Sequence, residues 1–483
     1  LSVPSTAIQS PANLQLLSRS GQLSSQPVGT GPFQVDSWFE GQPVRLQAFD
    51  EYWGEPALLE TIQVSPVIDI EQRFDLLVNK EVHLAENILP DDVEFAEDSY
   101  LYQVDYREAI NVSYLGMNRD IVPFDENDVR MAIGTCIDRV DLTETHYPEG
   151  SIAATQFVPP STFGFTPGLM WHYFDTSTAT DLLSSAGYTD GITVTLTVVD
   201  VATDYLPVPL EIAEMVKEQL SECNVNVDIE AVSASEFYAL KQSNRVGMYI
   251  SGWSADFPGP INFLNTHFGK SADLGSFGAA LPQVVDLLAE AERSADREHR
   301  RELYDEVNTI LKEKVLFVPL AYGAGTWTTF EDLPGAYTHP VHREQFALIG
   351  PVDEVDELAG IGTEEKPFII AVGSEPSTLD PSHAINDVDF LVITQIFETL
   401  VGYDAVDEGL VGILATEWAS NDTYDVWEFS LKQDVRFHDG AEFNADAVLI
   451  NFDRMWDTKH PLHVPDGDGF RYCPMLFGAF KEA

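Results

Sequence analysis

ITVTLTVVDVATDYLPVPLEIAEMVKEQLSECNVNVDIEAVSASEFYALKQSNRVGMYIS, residues 192–251, is the stretch that decides the fold. Ile192, Val194, Leu196 and Val198 alternate with other residues, as in a strand with one buried face. Ile212, Ala213, Val216 and Leu220 then recur at helical spacing, and Val225, Val227, Ile229 and Ala231 alternate again. Val246–Ile250 is a short apolar run. This βαβαβ order predicts an α/β protein with a mostly parallel open sheet.

Working outward, Pro282 to Lys314 reads as a helical pair. Asp296 is the expected N-cap of its second member, and Leu303, Tyr304, Val307, Ile310 and Leu311 form one apolar stripe. Upstream, Asp125 is the expected N-cap of a helix with Val129, Ala132, Ile133, Cys136, Ile137 and Val140 on one face, which makes Cys136 a core residue. Downstream, PVDEVDELAGIGTEE (351–365) is acidic and without periodicity, a linker. Pro367 to Val372 resumes as a strand, Phe390 to Leu400 as a helix, and TYDVWEFSLK (423–432) as a strand of an antiparallel sheet.

The chain has 483 residues, room for about three domain-sized units. With 44% hydrophobic and 11% aromatic residues it has the material for full cores. Against 79 Asp and Glu stand only 26 Lys and Arg, a formal net charge of -53 spread along the whole chain. That excludes nucleic acid as a partner. Such a surface repels itself and is sustained where salt cuts the Debye length to about 3 Å, at molar concentration, so the composition reads as halophilic. Cys136, Cys223 and Cys473 are widely spaced, with no CxxC and no Cys/His cluster, so neither a disulfide framework nor a zinc site is expected. No apolar run of 18 residues is present, and LSVPSTAIQSP has neither the basic start nor the apolar core of a signal peptide.

The segment TYDVWEFSLKQDVRFHDGAEFNADAVLINFDR (423–454) resembles the signature of the peptide- and nickel-binding family of ABC-transporter solute-binding proteins. So do IIAVGSEPSTLDP (369–381), VGTGPF (28–33), EYWG (51–54), YLGMN with PFDENDVRMAIGTCIDR (114–139), GWSADFPGPINFL (252–264) and VLFVPLAY (315–322). Family members begin at the segment found here at 369–381, so this chain resembles a circularly permuted member, with a stretch carrying a further strand missing between Ala483 and Leu1. The resemblance implies a two-lobed periplasmic-binding-protein-like fold of class II with an extra subdomain on one lobe. Lobe I is then 28–111 and 366–407, with 336–350 returning to it; lobe II is 112–335, and 408–483 with 1–27 forms the extra subdomain.

GWSADFPGP follows the run Val246–Ile250 and so falls at the carboxyl end of a strand, where ligands bind in open α/β sheets. Trp253 offers a flat apolar wall and Asp256 a charge for a cationic group. By resemblance Asp256 receives the α-amino group of a peptide; the other reading makes it a cap for the turn before Pro258. The preceding GMYIS has no Arg, so one partner for a ligand carboxylate is absent. Tyr114 and Asn118 fall where the family crosses between lobes, as ligand contacts or as parts of a hinge strand. The VGTGPF glycines do not make GxGxxG and read as turn residues. His460, His463, Asp466 and Asp468 lack the spacing of HExxH or an EF-hand and read as a solvated loop. GxSxG and Walker patterns are absent, and carboxylate pairs carry no information among 79 acids.

The expected function is that of an extracellular substrate-binding component of an ABC importer, held at the outer face of the membrane, monomeric, with a short peptide as ligand and the permease subunits as partners. No catalytic residue, metal or cofactor is expected. The alternatives are a binding protein for chelated nickel or another non-peptide solute, and a secreted hydrolase. The charge yields a first prediction: thermal unfolding followed by circular dichroism shifts to markedly higher temperature in molar KCl than in dilute buffer. Equal stability in both would contradict the halophilic reading.

Overall fold

The computed structural model describes residues 1–17, 26–255, 257, 259–270, 272, 274–330, 333–340, 344–350, 360–384, 386–403, 410–463, 470, 473 and 480–481. Two compact units are built from interleaved pieces of chain. One comprises Leu1–Ile88, Asp92–Asp105 and Trp327–Ala483, the other Leu89–Asp91 and Tyr106–Thr326. The chain passes from one unit to the other within the strands Tyr102–Arg107 and Gly325–Phe330.

The second unit contains the βαβαβ run as read: strands Ile192–Val199, Val225–Val232 and Met248–Ser254 with helices Pro209–Ser221 and Ala234–Gln242 between them. Ile192–Val199 pairs in parallel with both neighbours. Asn111–Met117 then adds antiparallel to Met248–Ser254, and Phe317–Pro319 antiparallel to Asn111–Met117. The third strand is longer than its apolar run: Gly252, Trp253 and Ser254 belong to it rather than following it, because they pair with Ser113, Val112 and Asn111.

Asp296 caps the helix Arg297–Lys314 as expected, its carboxylate accepting from the backbone N–H groups of Glu298 and His299. The stripe from Val129 to Val140, however, is not one helix. It divides into Asn127–Thr135 and Arg139–His146, the latter capped by Asp138. The first has Glu126, not Asp125, at its N-cap, with no side-chain cap bond, and Val140 is exposed because it opens the second helix. The absent disulfide is a second correction: Cys136 is fully buried, as expected, and bonded to Cys223 across a sequence separation of 87. The bond staples the end of Asn127–Thr135 to the turn before strand Val225–Val232. Cys473 is free and buried.

The first unit is organised on a sheet in the order Phe33–Ser37, Val44–Ala48, Thr61–Pro66, Phe368–Val372, Leu84–Glu86, Gly325–Phe330, Tyr102–Arg107. Phe368–Val372 is parallel to Thr61–Pro66 on one side and to Leu84–Glu86 on the other. Of the predicted linker, 351–359 lie outside the described residues; 360–365 form turns whose Gly362 carbonyl accepts from Glu60 and Thr61. The predicted helix is Asp387–Ile396, capped by Asn386. Its end explains VGTGPF. A Cβ on Gly29 would stand 2.0 Å from the Ile396 carbonyl oxygen, and one on Gly31 2.6 Å from that of Gln395. Only glycine admits so close a backbone approach.

A cluster of Ile8, Leu400, Leu414, Val435, Phe437 and Phe443 gathers the first residues of the chain and its last hundred into one core. Two polar junctions brace it. Asp380 accepts from Gln9 Nε2 at 2.7 Å and pairs with the fully buried Arg454. Burial alone would raise the Asp380 pKa, but Arg454 and His383 outweigh it and hold the carboxyl well below the usual range. Glu398 accepts from Tyr52 (2.9 Å) and from Trp53 Nε1 (2.8 Å), and burial pushes its pKa up to about 7.

The disulfide is checked by counting thiols. The denatured, unreduced protein should titrate with one thiol and the reduced protein with three. Closing a loop of this length adds about 4.6 kcal/mol in the chain-entropy picture, so reduction should lower the urea midpoint clearly. Three thiols before reduction would remove the staple.

Candidate functional site

Strand Met248–Ser254 starts in register with Leu196 of its parallel neighbour, which ends at Val199, so Gly252 to Ser254 project beyond the carboxyl end of the parallel strands. That overhang carries Trp253. Its indole Nε1 donates to Asn262 Oδ1 at 2.6 Å, and its ring meets the His267 ring edge-on at 4.8 Å. Asn262 is fully buried. The indole is thus held by a hydrogen bond at its N–H and by a ring contact, and the residue is half-buried.

Beside it, Gly252 has no side chain for a steric reason. A Cβ there would lie 2.0 Å from the Tyr205 ring. Tyr205 is held in place by its neighbours. Asp204 pairs with Arg107 at 2.9 Å, both almost entirely buried, and Tyr147, itself bonded to Ser113, donates to the Tyr205 carbonyl. The wall next to Trp253 therefore rests on a buried ion pair.

Behind the wall lies an aromatic core. His267 Nδ1 donates to the Phe263 carbonyl at 2.9 Å, and burial lowers its pKa to about 3, so the imidazole stays neutral. Tyr114 has its ring centroid 5.0 Å from that of Phe157, 5.7 Å from Phe277 and 6.4 Å from His267. At 2% exposure it is closed to solvent, and burial pushes its pKa up. His267 thus contacts both Trp253 and Tyr114.

Asn118 lies elsewhere. Fully buried, it donates to Asn244 at 2.6 Å and accepts from the Asp120 N–H at 3.0 Å. Val112 is opposite Trp253 and Met117 opposite Met248, so six strand steps, about 20 Å, separate Asn118 from the Trp253 end. Asp256 lies outside the described residues. Asp466 and Asp468 do too; His463 Nδ1 donates to the Arg454 carbonyl, and His460 Nδ1 accepts from the Leu462 N–H. Among the described residues no group of three His, Cys, Asp or Glu could hold a metal.

Asn262, His267 and Tyr205 complete the site and escaped the sequence reading. They reach Trp253 from loops and a short helical segment, where no periodicity marks them.

The model of the bacterial extracellular solute-binding proteins, family 5 (middle), matches residues 4–274 and 409–469, more than half of the chain. The chain belongs to that family. It is 24% identical over 328 residues to the dipeptide-binding protein of Escherichia coli K12, covering 67% of this chain and 61% of that one. Among solved structures it is similar to the ABC transporter-associated periplasmic binding protein DppA from Helicobacter pylori in complex with the peptide STSA (TM-score 0.63, 25% identity, 71% of this chain and 67% of that one). It is likewise similar to a dipeptide-binding protein from Pseudoalteromonas sp. SM9913 in complex with Met-Leu (TM-score 0.62, 25% identity, 68% and 66%). The chain spans about three fifths of the length of the curated relatives it matches. The α/β fold expected of a periplasmic-binding-protein-like chain is the one these relatives share.

The ion pair gives a prediction. Asp204→Ala takes away the carboxylate that the buried Arg107 meets at 2.9 Å, and removing one partner of such a buried pair should cost about 3 to 5 kcal/mol in urea unfolding. A loss below about 1 kcal/mol would show that the pair does not hold the Tyr205 loop.

Proposed function

We propose that this protein is the extracellular substrate-binding component of an ABC importer and captures short peptides at the strand end that carries Trp253. The observation that carries the reading is the fixed indole on the overhang of strand Met248–Ser254, in a chain that belongs to the family 5 solute-binding proteins. Relatives named or solved as peptide binders support it. In this proposal Asp256 receives the α-ammonium of the peptide beside Trp253, while Tyr114 supports the indole from behind through His267 and Asn118 braces the far end of the strand pair. The protein acts by binding rather than by catalysis, hands its ligand to permease subunits, and works as a monomer anchored at the outer face of the membrane in high salt. The Cys136–Cys223 bond supports the location, since disulfides persist in oxidising compartments. The division into lobe I, lobe II and an extra subdomain, with the permuted chain order, belongs to the same proposal. It is supported by the way Phe368–Val372 enters the sheet of the first unit.

Asp256→Asn keeps the shape and removes the charge. Removing one partner of a buried pair costs about 3 to 5 kcal/mol, so affinity for a dipeptide should fall by about two to three and a half orders of magnitude. An N-acetylated dipeptide should be rejected by the unmutated protein to a similar degree. Titration calorimetry in molar salt measures both. If neither change weakens binding tenfold, Asp256 is not the anchor; if the dipeptide is cleaved during the titration, the protein is a hydrolase.

A further inference from the structure

The hairpin formed by strands Ala415–Ser420 and Trp427–Leu431 pairs with no third strand among the described residues. At its tip Asn421-Asp422-Thr423 makes an N-x-T sequence, and all three residues are exposed. Two of the sixteen asparagines stand in such a sequence, the other being Asn111 in Asn111-Val112-Ser113. Their settings are opposite. Asn111 is 4% exposed in a strand, and its side chain donates to the Gly323 carbonyl and accepts from the Gly323 N–H. Asn421 instead opens a turn closed by the Tyr424 N–H to the Asn421 carbonyl, with Tyr424 at a φ of 57°. Asn421 Nδ2 and Thr423 Oγ1 both donate to the exposed Asp425 carboxylate, so the acceptor amide and the hydroxyl two residues on face the same point.

A second observation concerns what surrounds this tip. Tyr424, Val426 and Trp427 are 55%, 60% and 50% exposed, and the two rings lie 6.4 Å apart. Aromatic faces carry partial negative charge, which the C–H face of a sugar ring complements, and an exposed apolar group of this kind calls for a cover. A saccharide on Asn421 would lie within reach of these rings.

We propose that Asn421 is an N-glycosylation site whose glycan shields the tip of the hairpin at Tyr424 and Trp427. The substrate class is a saccharide linked through phosphate to a lipid carrier. In the transfer, a C–N bond forms between the sugar C1 and Asn421 Nδ2. The C1–O bond to phosphate breaks, its electron pair leaves with the lipid phosphate, and the amide proton passes to a base of the transferring enzyme. The proposal rests on the extracellular reading above.

The test uses protein recovered from the cell surface of its native host. Cleavage after glutamate releases residues 418–428 between Glu417 and Glu428, and mass spectrometry should find that peptide carrying added hexose, hexosamine or hexuronate masses. Asn421→Gln and Thr423→Ala should each abolish the addition, and the peptide containing Asn111 should be bare. An unmodified 418–428 peptide in surface protein overturns the inference and leaves the extracellular reading standing. An unmodified peptide in protein confined to the cytoplasm overturns both.

Discussion

The first unit depends on one strand that arrives late in the chain. Phe368–Val372 lies between Thr61–Pro66 and Leu84–Glu86, parallel to both, with Ile370, Ala371 and Val372 excluded from solvent. A parallel strand between parallel neighbours cannot be supplied by a hairpin. Here it comes from some three hundred residues downstream, after the whole of Tyr106–Thr326. The sheet around 33–86 is therefore incomplete until this segment is made, and such distant pairings fold slowly. The other long-range ties repeat the pattern: Gln9 with Asp380 and Asn451, Ile8 with Glu398, and Gly29 and Gly31 with His438. Residues from opposite ends of this chain are neighbours in one core.

Charge imposes a second constraint. With 26 basic residues against 79 acidic ones, the four buried arginines among the described residues divide between satisfying the backbone and pairing with carboxylates. Arg73 donates to the carbonyls of Val67, Glu86 and Asn87. Arg130 donates to those of Phe124, Lys314 and Val315, and so closes the C-terminus of helix Arg297–Lys314, where a cation also meets the helix dipole favourably. Arg107 and Arg454 pair with carboxylates that are themselves buried. The acids are left largely to the surface, which is why the net charge bears on solubility and salt response rather than on the fold.

The sequence revealed elements whose periodicity is sustained, such as the alternation of Ile192–Val199 and Val225–Val232 and the stripe behind Asp296. It misled where periodicity outlasts the element: the apolar spacing from Val129 to Val140 runs across the turn at Cys136 to Asp138. Cysteine spacing gave no hint that Cys136 meets Cys223, because the sheet and not the sequence brings them together. At the site, Trp253 was visible from its place after a strand-like run. Its partners Asn262, His267 and Tyr205 were not, since the first two come from one short helical stretch and the third from a loop. Tyr114 could be placed on a strand, but the aromatic residues that enclose it, Phe157, Tyr249, His267, Phe277 and Phe317, lie on five other segments.

The central claim is that the Trp253 strand end belongs to a protein that holds a peptide and returns it unchanged. Native mass spectrometry of the protein purified gently from its host, in volatile salt, tests it directly. The account predicts a population carrying one added mass that, on denaturation, is released and sequenced as a short peptide with a free α-amino group. A released metal chelate or another non-peptide solute, with no peptide at any charge state, would contradict it.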